Sequence, residues 1–94
     1  MPQTGDFIRA KLEGLKTTLQ SAPTSEKKNV ISKPMADEFN GILSQAAQEY
    51  PVLKDQLPKA IPTRRIGSMA IGQATFLELE AFCEQTLNLL RLVR

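Results

Sequence analysis

PVLKDQLPKAIPTRRIGSMAIGQA, residues 51–74, is the stretch on which the fold turns. Pro51, Pro58 and Pro62 each lack the amide that a helix interior needs, and Gly67 and Gly72 add further breaks, so no long helix crosses it. One helical turn fits Val52–Leu57. Beyond that turn, Ile61, Ile66, Met69 and Ile71 place part of the segment against a core in extended form. A structureless connection of about 20 residues is uncommon in a compact domain and tends to be functional, mobile or wrongly assigned. Read as a connection, the segment predicts an all-α protein: a small three-helix bundle, four with the Val52–Leu57 turn, with a long Pro- and Gly-containing connection before its last helix. β-branched runs are scarce, so no sheet of more than two short strands is expected.

The helix that follows, over residues 75–93, has the strongest start signal in the chain. Thr75-Phe76-Leu77-Glu78 matches the capping box, in which the Thr and Glu side chains satisfy each other's backbone amides. Phe76, Leu79, Phe82, Cys83, Leu87, Leu89, Leu90 and Val93 project onto an arc of roughly 160°, with Glu80, Glu84, Asn88 and Arg91 opposite. So wide a face contacts two neighbours, which makes this the central helix, with Leu79, Phe82, Cys83, Leu87 and Leu90 in the core. Leu77 and Leu92 fall outside the arc.

Upstream, a second helix spans residues 34–50. Pro34 suits a first helical turn, where its missing N–H would be unpaired anyway, and Asp37 and Glu38 complement the positive end of the helix dipole. Its apolar face comprises Met35, Phe39, Ile42, Leu43, Ala46 and Tyr50. Asn40-Gly41 would signal a hairpin between strands, but its flanks lack alternation, and the pair is read as helical. Gly41 costs that helix about 1 kcal/mol relative to Ala, a loss that a closely packed backbone would offset.

The first helix covers residues 5–20, capped by Thr4 or Asp6, with Ile8, Leu12, Leu15 and Leu19 on an arc of only roughly 60°. A stripe that narrow predicts an outer or seam-forming helix. Residues 21–33, SAPTSEKKNVISK, lack periodicity apart from Val30-Ile31 and read as a linker in which Lys27, Lys28 and Lys33 are solvated.

At 94 residues the chain is read as one domain, residues 1–94. A 41% apolar and 23% charged composition argues against disorder. Twelve basic against ten acidic residues leave a charge of only +2, which falls short of the field of a phosphate-binding protein, so nucleic acid is not the expected partner. The lone Cys83 cannot form an internal disulfide, and the start MPQTGDFIRAKLEG lacks the basic segment and apolar run of a secretory signal. A cytoplasmic location follows as the expectation. No apolar run approaches the roughly 20 residues that a membrane span needs.

Histidine is absent, and with it the commonest general base, the commonest metal ligand and every His-dependent triad. No acidic pair, phosphate loop or Cys cluster carries a motif, so no catalytic residue, metal ligand or cofactor is assigned. Cys83, on an apolar helix face, reads as a small core hydrophobe. The basic stretch Lys59–Gln73 contains no acid, and Arg64, Arg65 and Ser68 are its candidate anion-binding residues, through guanidinium forks and turn amides.

The reading of function is therefore a non-enzymatic helical protein-interaction module that self-associates, most simply as a homodimer. The narrow seam Ile8, Leu12, Leu15 and Leu19, together with Leu77 and Leu92, supplies its candidate interface. Two alternatives remain: a small nucleic-acid-associated regulator using the Arg64/Arg65 loop, and an accessory subunit or inhibitor of an enzyme with residues 51–74 as the inserted element.

Overall fold

The computed structural model describes residues 4–93, apart from the side chain of Thr4. It runs α1 (Thr4–Gln20), β1 (Val30–Ser32), α2 (Lys33–Glu49), β2 (Thr63–Ile66), β3 (Met69–Thr75) and α3 (Phe76–Leu92), with 3-10 turns at Thr24–Glu26 and Pro51–Leu53. The strands form one antiparallel sheet in the order β1-β3-β2. The protein is therefore α+β. This corrects the all-α, three-helix-bundle expectation, and the sheet exceeds the two short strands allowed from sequence. A cap at Thr4 would rest on a side chain outside the described residues.

The correction comes from residues 62–75, which fold back on themselves. Ile66 pairs with Met69, so Gly67-Ser68 is a two-residue hairpin loop. Gly67 has φ +61° and, among the described residues, no non-glycine residue has positive φ, the pattern of a type II′ turn, whose first central residue is glycine. That turn follows the strand twist and lets β2 and β3 pair without a bulge. Val30-Ile31, read as part of a linker, adds a third strand on the other side of β3, with an irregular register between Val30 and Ser32.

Gly72 seats the sheet on α2. A Cβ there would lie 2.7 Å from Ala36 Cβ and 2.8 Å from Ile31 Cγ1, and both neighbours are fully buried. Only a residue without a side chain allows so close an approach. A second anchor lies just before β2. Asn40 Nδ2 donates to the Ile61 carbonyl at 2.9 Å, and the Ile61 N–H donates to Asn40 Oδ1 at 2.7 Å. This side-chain amide does for Ile61 what a neighbouring strand would do, and it fixes where β2 begins.

The helices start and stop where their sequences dictate. Ser32 caps α2 by accepting from the Met35 N–H at 3.4 Å, and Pro34 occupies its first turn. The capping box of α3 forms in both directions: Thr75 N–H donates to Glu78 Oε1 at 2.8 Å, and Glu78 N–H donates to Thr75 Oγ1 at 3.1 Å. Thr86, buried on α3, donates its hydroxyl to the Phe82 carbonyl at 2.8 Å, so its burial leaves no unpaired polar group.

The core joins all three helices. Ile8, Leu12, Leu15 and Leu19 of α1 are 0–5% exposed, and α1 packs against both α2 and α3. Their narrow line fits the groove between two helices, where a broader stripe is not needed. Phe39 of α2 is fully buried and stacks on Phe82 of α3 with ring centroids 6.2 Å apart. Each fully buried Leu, Ile or Phe contributes about 1.5–3 kcal/mol through removal from water. Phe82 itself, expected in the core, is only half-buried at its rim. Gly41 has open space where a Cβ would project, so no close backbone offsets its cost to α2.

Candidate functional site

Two consequences of the hairpin define the surface with most to offer another molecule. The first is an open edge. β3 is flanked on both sides, but among the described residues β2 has a strand on one side only. The Gln73 N–H donates to the Pro62 carbonyl at 2.8 Å, which fixes the phase of the β2–β3 ladder. Antiparallel pairs alternate between bonded and non-bonded. In the register Thr63–Gly72, Arg64–Ile71, Arg65–Ala70 and Ile66–Met69, the bonded pairs are therefore Arg64–Ile71 and Ile66–Met69. The N–H and C=O groups of Thr63 and Arg65 face away from β3, towards solvent. All of β2, Thr63 to Ile66, is exposed.

The second consequence is an apolar face. Side chains alternate across a strand, and directly paired residues share a face. Ala70, Gly72 and Ala74 point towards α2, and the latter two are buried. Met69, Ile71 and Gln73 point the other way, with Ile66 and Arg64 beside them on β2 and Val30 on β1. Among the described residues no helix covers this outer face: Val30 is 46% exposed, Ile66 53% and Met69 66%. Apolar side chains thus stand in water on the uncovered side of the sheet and at the hairpin tip.

Arg64 and Arg65 give this edge its charge. Neither side chain is held by a hydrogen bond or ion pair among the described residues, whereas Lys16 is paired with Glu84, Lys27 with Glu80 and Lys33 with Asp37. The anion site expected from Arg64, Arg65 and Ser68 is not assembled. Consecutive strand residues point to opposite faces, so the two guanidinium groups do not converge, and Ser68 sits in the hairpin turn beyond both.

The residues of the expected dimer seam fall into two groups. Ile8, Leu12, Leu15 and Leu19 are consumed by the chain's own core and offer no surface to a second chain. Leu77 and Leu92 are exposed, 49% and 75%, but fifteen residues of helix separate them by about 22 Å. Single exposed leucines so far apart do not make one patch. Thr63, Ile66 and Met69, absent from the sequence-derived site, belong to the surface that the sheet creates. Their signal was Gly67-Ser68 lying between two short runs, a two-residue hairpin spacing.

Elsewhere the chemistry is quiet. Cys83 is fully buried, and loss of hydration, then the nearby Glu80 carboxylate, push its thiol up to about 12. Glu84 lies below the usual carboxylate range because Lys16 hydrogen-bonds it and neutralises its charge. A groove of about 440 Å³ between α1 and α2, lined by Lys11, Gly14, Leu15, Met35 and Glu38 among others, is shallow and open. Among the described residues no cluster of three or more His, Cys, Asp or Glu could hold a metal ion, and no helix is long and apolar enough to cross a membrane. No family model matches the chain, and no curated protein or solved structure does so either.

Proposed function

We propose that this chain is a non-enzymatic protein-interaction module that receives an extended segment of another protein along β2. The observation that carries the proposal is the open edge: Thr63 and Arg65 present unpaired N–H and C=O groups on a strand exposed along its whole length. An edge of this kind is a template for strand addition, in which main-chain hydrogen bonds give affinity and neighbouring side chains give specificity. The uncovered outer face beside it, with Ile66, Met69 and Ile71, gives an added strand apolar neighbours. A histidine-free chain without a catalytic motif fits binding better than chemistry, and the lone buried Cys83 fits a reducing compartment such as the cytoplasm.

Proline substitution tests this reading. The Arg65 N–H points away from β3, so Arg65→Pro removes no hydrogen bond within the hairpin but denies an arriving strand a main-chain donor, while Arg65→Ala, which keeps that N–H, controls for loss of the guanidinium. Peptides selected from a random library against the full chain are expected to lose binding to Arg65→Pro and to keep it with Leu77→Glu and Leu92→Glu. Binders indifferent to Arg65→Pro but lost on changing Leu77 or Leu92 would place the interaction on α3 and contradict the proposal.

A further inference from the structure

We infer that the segment taken by the β2 edge is acidic: an extended stretch of another protein, antiparallel to β2, with carboxylates beside Arg64 and Arg65 and an apolar side chain beside Ile66. The inference rests on the strand-addition reading and adds the chemistry of the partner. Its first support is charge. No acidic residue occurs between Asp55 and Glu78, and the guanidinium groups of Arg64 and Arg65 are engaged by no carboxylate among the described residues. An added strand carrying two consecutive carboxylates sends one to each face of the sheet, as Arg64 and Arg65 do, so each guanidinium meets one partner.

The second support is what the same charges exclude. Two copies joined edge to edge through β2 would bring four guanidinium groups into one short ladder, and like charges across neighbouring strands destabilise pairing. The arginines thus guard the edge against a second copy while selecting for opposite charge. The third support is the tip. Ile66 and Met69 form an exposed apolar cross-strand pair next to Arg64 and Ile71 on the outer face. A strand running antiparallel to β2 meets Ile66 first, then Arg65, Arg64 and Thr63. The complementary pattern, from N- to C-terminus, is therefore apolar-acidic-acidic-polar.

The test uses the full chain and two capped, fluorescent peptides that differ only in charge, one containing Val-Glu-Glu-Thr and the other Val-Lys-Lys-Thr. Binding is read by anisotropy and by amide hydrogen exchange at Thr63 and Arg65. The Glu peptide is expected to bind about tenfold or more tightly than the Lys peptide, because two opposite-charge pairs become two like-charge pairs. Added salt should narrow the difference. In the double variant Arg64→Glu with Arg65→Glu, checked for an unchanged circular dichroism spectrum, the preference should invert. Equal protection of Thr63 and Arg65 by both peptides overturns the acidic partner and leaves strand addition standing. No protection by either peptide at millimolar concentration overturns both. Thr63 and Arg65 amides already protected in a peptide-free dimer would make a second copy the occupant. Displacement of the Glu peptide by a single-stranded oligonucleotide at equal concentration would replace carboxylate recognition by phosphate recognition. Either of these also overturns the inference.

Discussion

Gly72→Ala is a one-carbon change that tests how the sheet sits on the helices. The added carbon would lie 2.7 Å from Ala36 Cβ, 2.8 Å from Ile31 Cγ1 and 3.1 Å from Ile31 Cδ1, against about 3.5–4.0 Å for carbon atoms at optimal separation. Ala36 and Ile31 are fully buried, so neither can swing out into water, and the central strand must lift from α2. Overpacking of this kind costs about 1–3 kcal/mol. The restriction that Ala imposes on the unfolded chain works the other way by about 0.4–1 kcal/mol. The net expectation is a loss of about 1.3 kcal/mol, the midpoint of the roughly 0–2.6 kcal/mol that these two opposing terms allow. Urea unfolding followed by circular dichroism should show a lower midpoint at unchanged slope. In an Ala36→Gly background the closest contact disappears, and the cost of Gly72→Ala should shrink, a coupling readable as a double-mutant cycle. A raised midpoint for Gly72→Ala, or an equal cost in both backgrounds, would refute the packing described between β3 and α2.

Four further outcomes follow from named groups. Gly14→Ala and Gly41→Ala, each in a helix with open space where the Cβ would project, should stabilise the protein by about 0.5–1 kcal/mol each in the same urea titration, opposite in sign to Gly72. Asn40→Ala strips the Ile61 N–H and C=O of their partners and should cost about 1–3 kcal/mol, with faster amide exchange at Ile61 preceding any change in α1. Cys83 should resist thiol reagents until the chain unfolds, since burial disfavours its thiolate. Its folded pKa is raised, so its contribution to stability is complete below about pH 9 and is lost as pH climbs towards about 12, measured as the pH-dependent difference between wild type and Cys83→Ala.

What the sequence made legible was whatever local periodicity and capping control. The helices over residues 5–20, 34–50 and 75–93 lie within one residue of α1, α2 and α3, and the Thr75/Glu78 capping box forms in full. The hairpin stayed hidden for two physical reasons. In β3 the buried side carries the small residues Ala70, Gly72 and Ala74, while Met69 and Ile71 sit on the uncovered side. The strand therefore alternates in size and not in the apolar-in, polar-out sense that reveals a half-buried strand. Gly72, which reads as a loop signal, is a packing device whose need appears only when Ala36 is brought beside it. The α1 stripe misled for a related reason: an arc of four residues looks too narrow for a core until α2 and α3 close on it from both sides. The site was half legible. Arg64 and Arg65 stood out as basic residues in an acid-free stretch, but their division between two faces, and the open backbone at Thr63 and Arg65, exist only once β2 is a strand.

The open edge is tested most directly by amide hydrogen exchange of the free protein across β2. Arg64 and Ile66, bonded to Ile71 and Met69, should exchange slowly, while Thr63 and Arg65, facing solvent, should exchange at rates close to those of an unstructured chain. Fast exchange at Arg64 and Ile66 as well would mean that the hairpin does not form, and protection at Thr63 and Arg65 without any added partner would mean that the edge is not open.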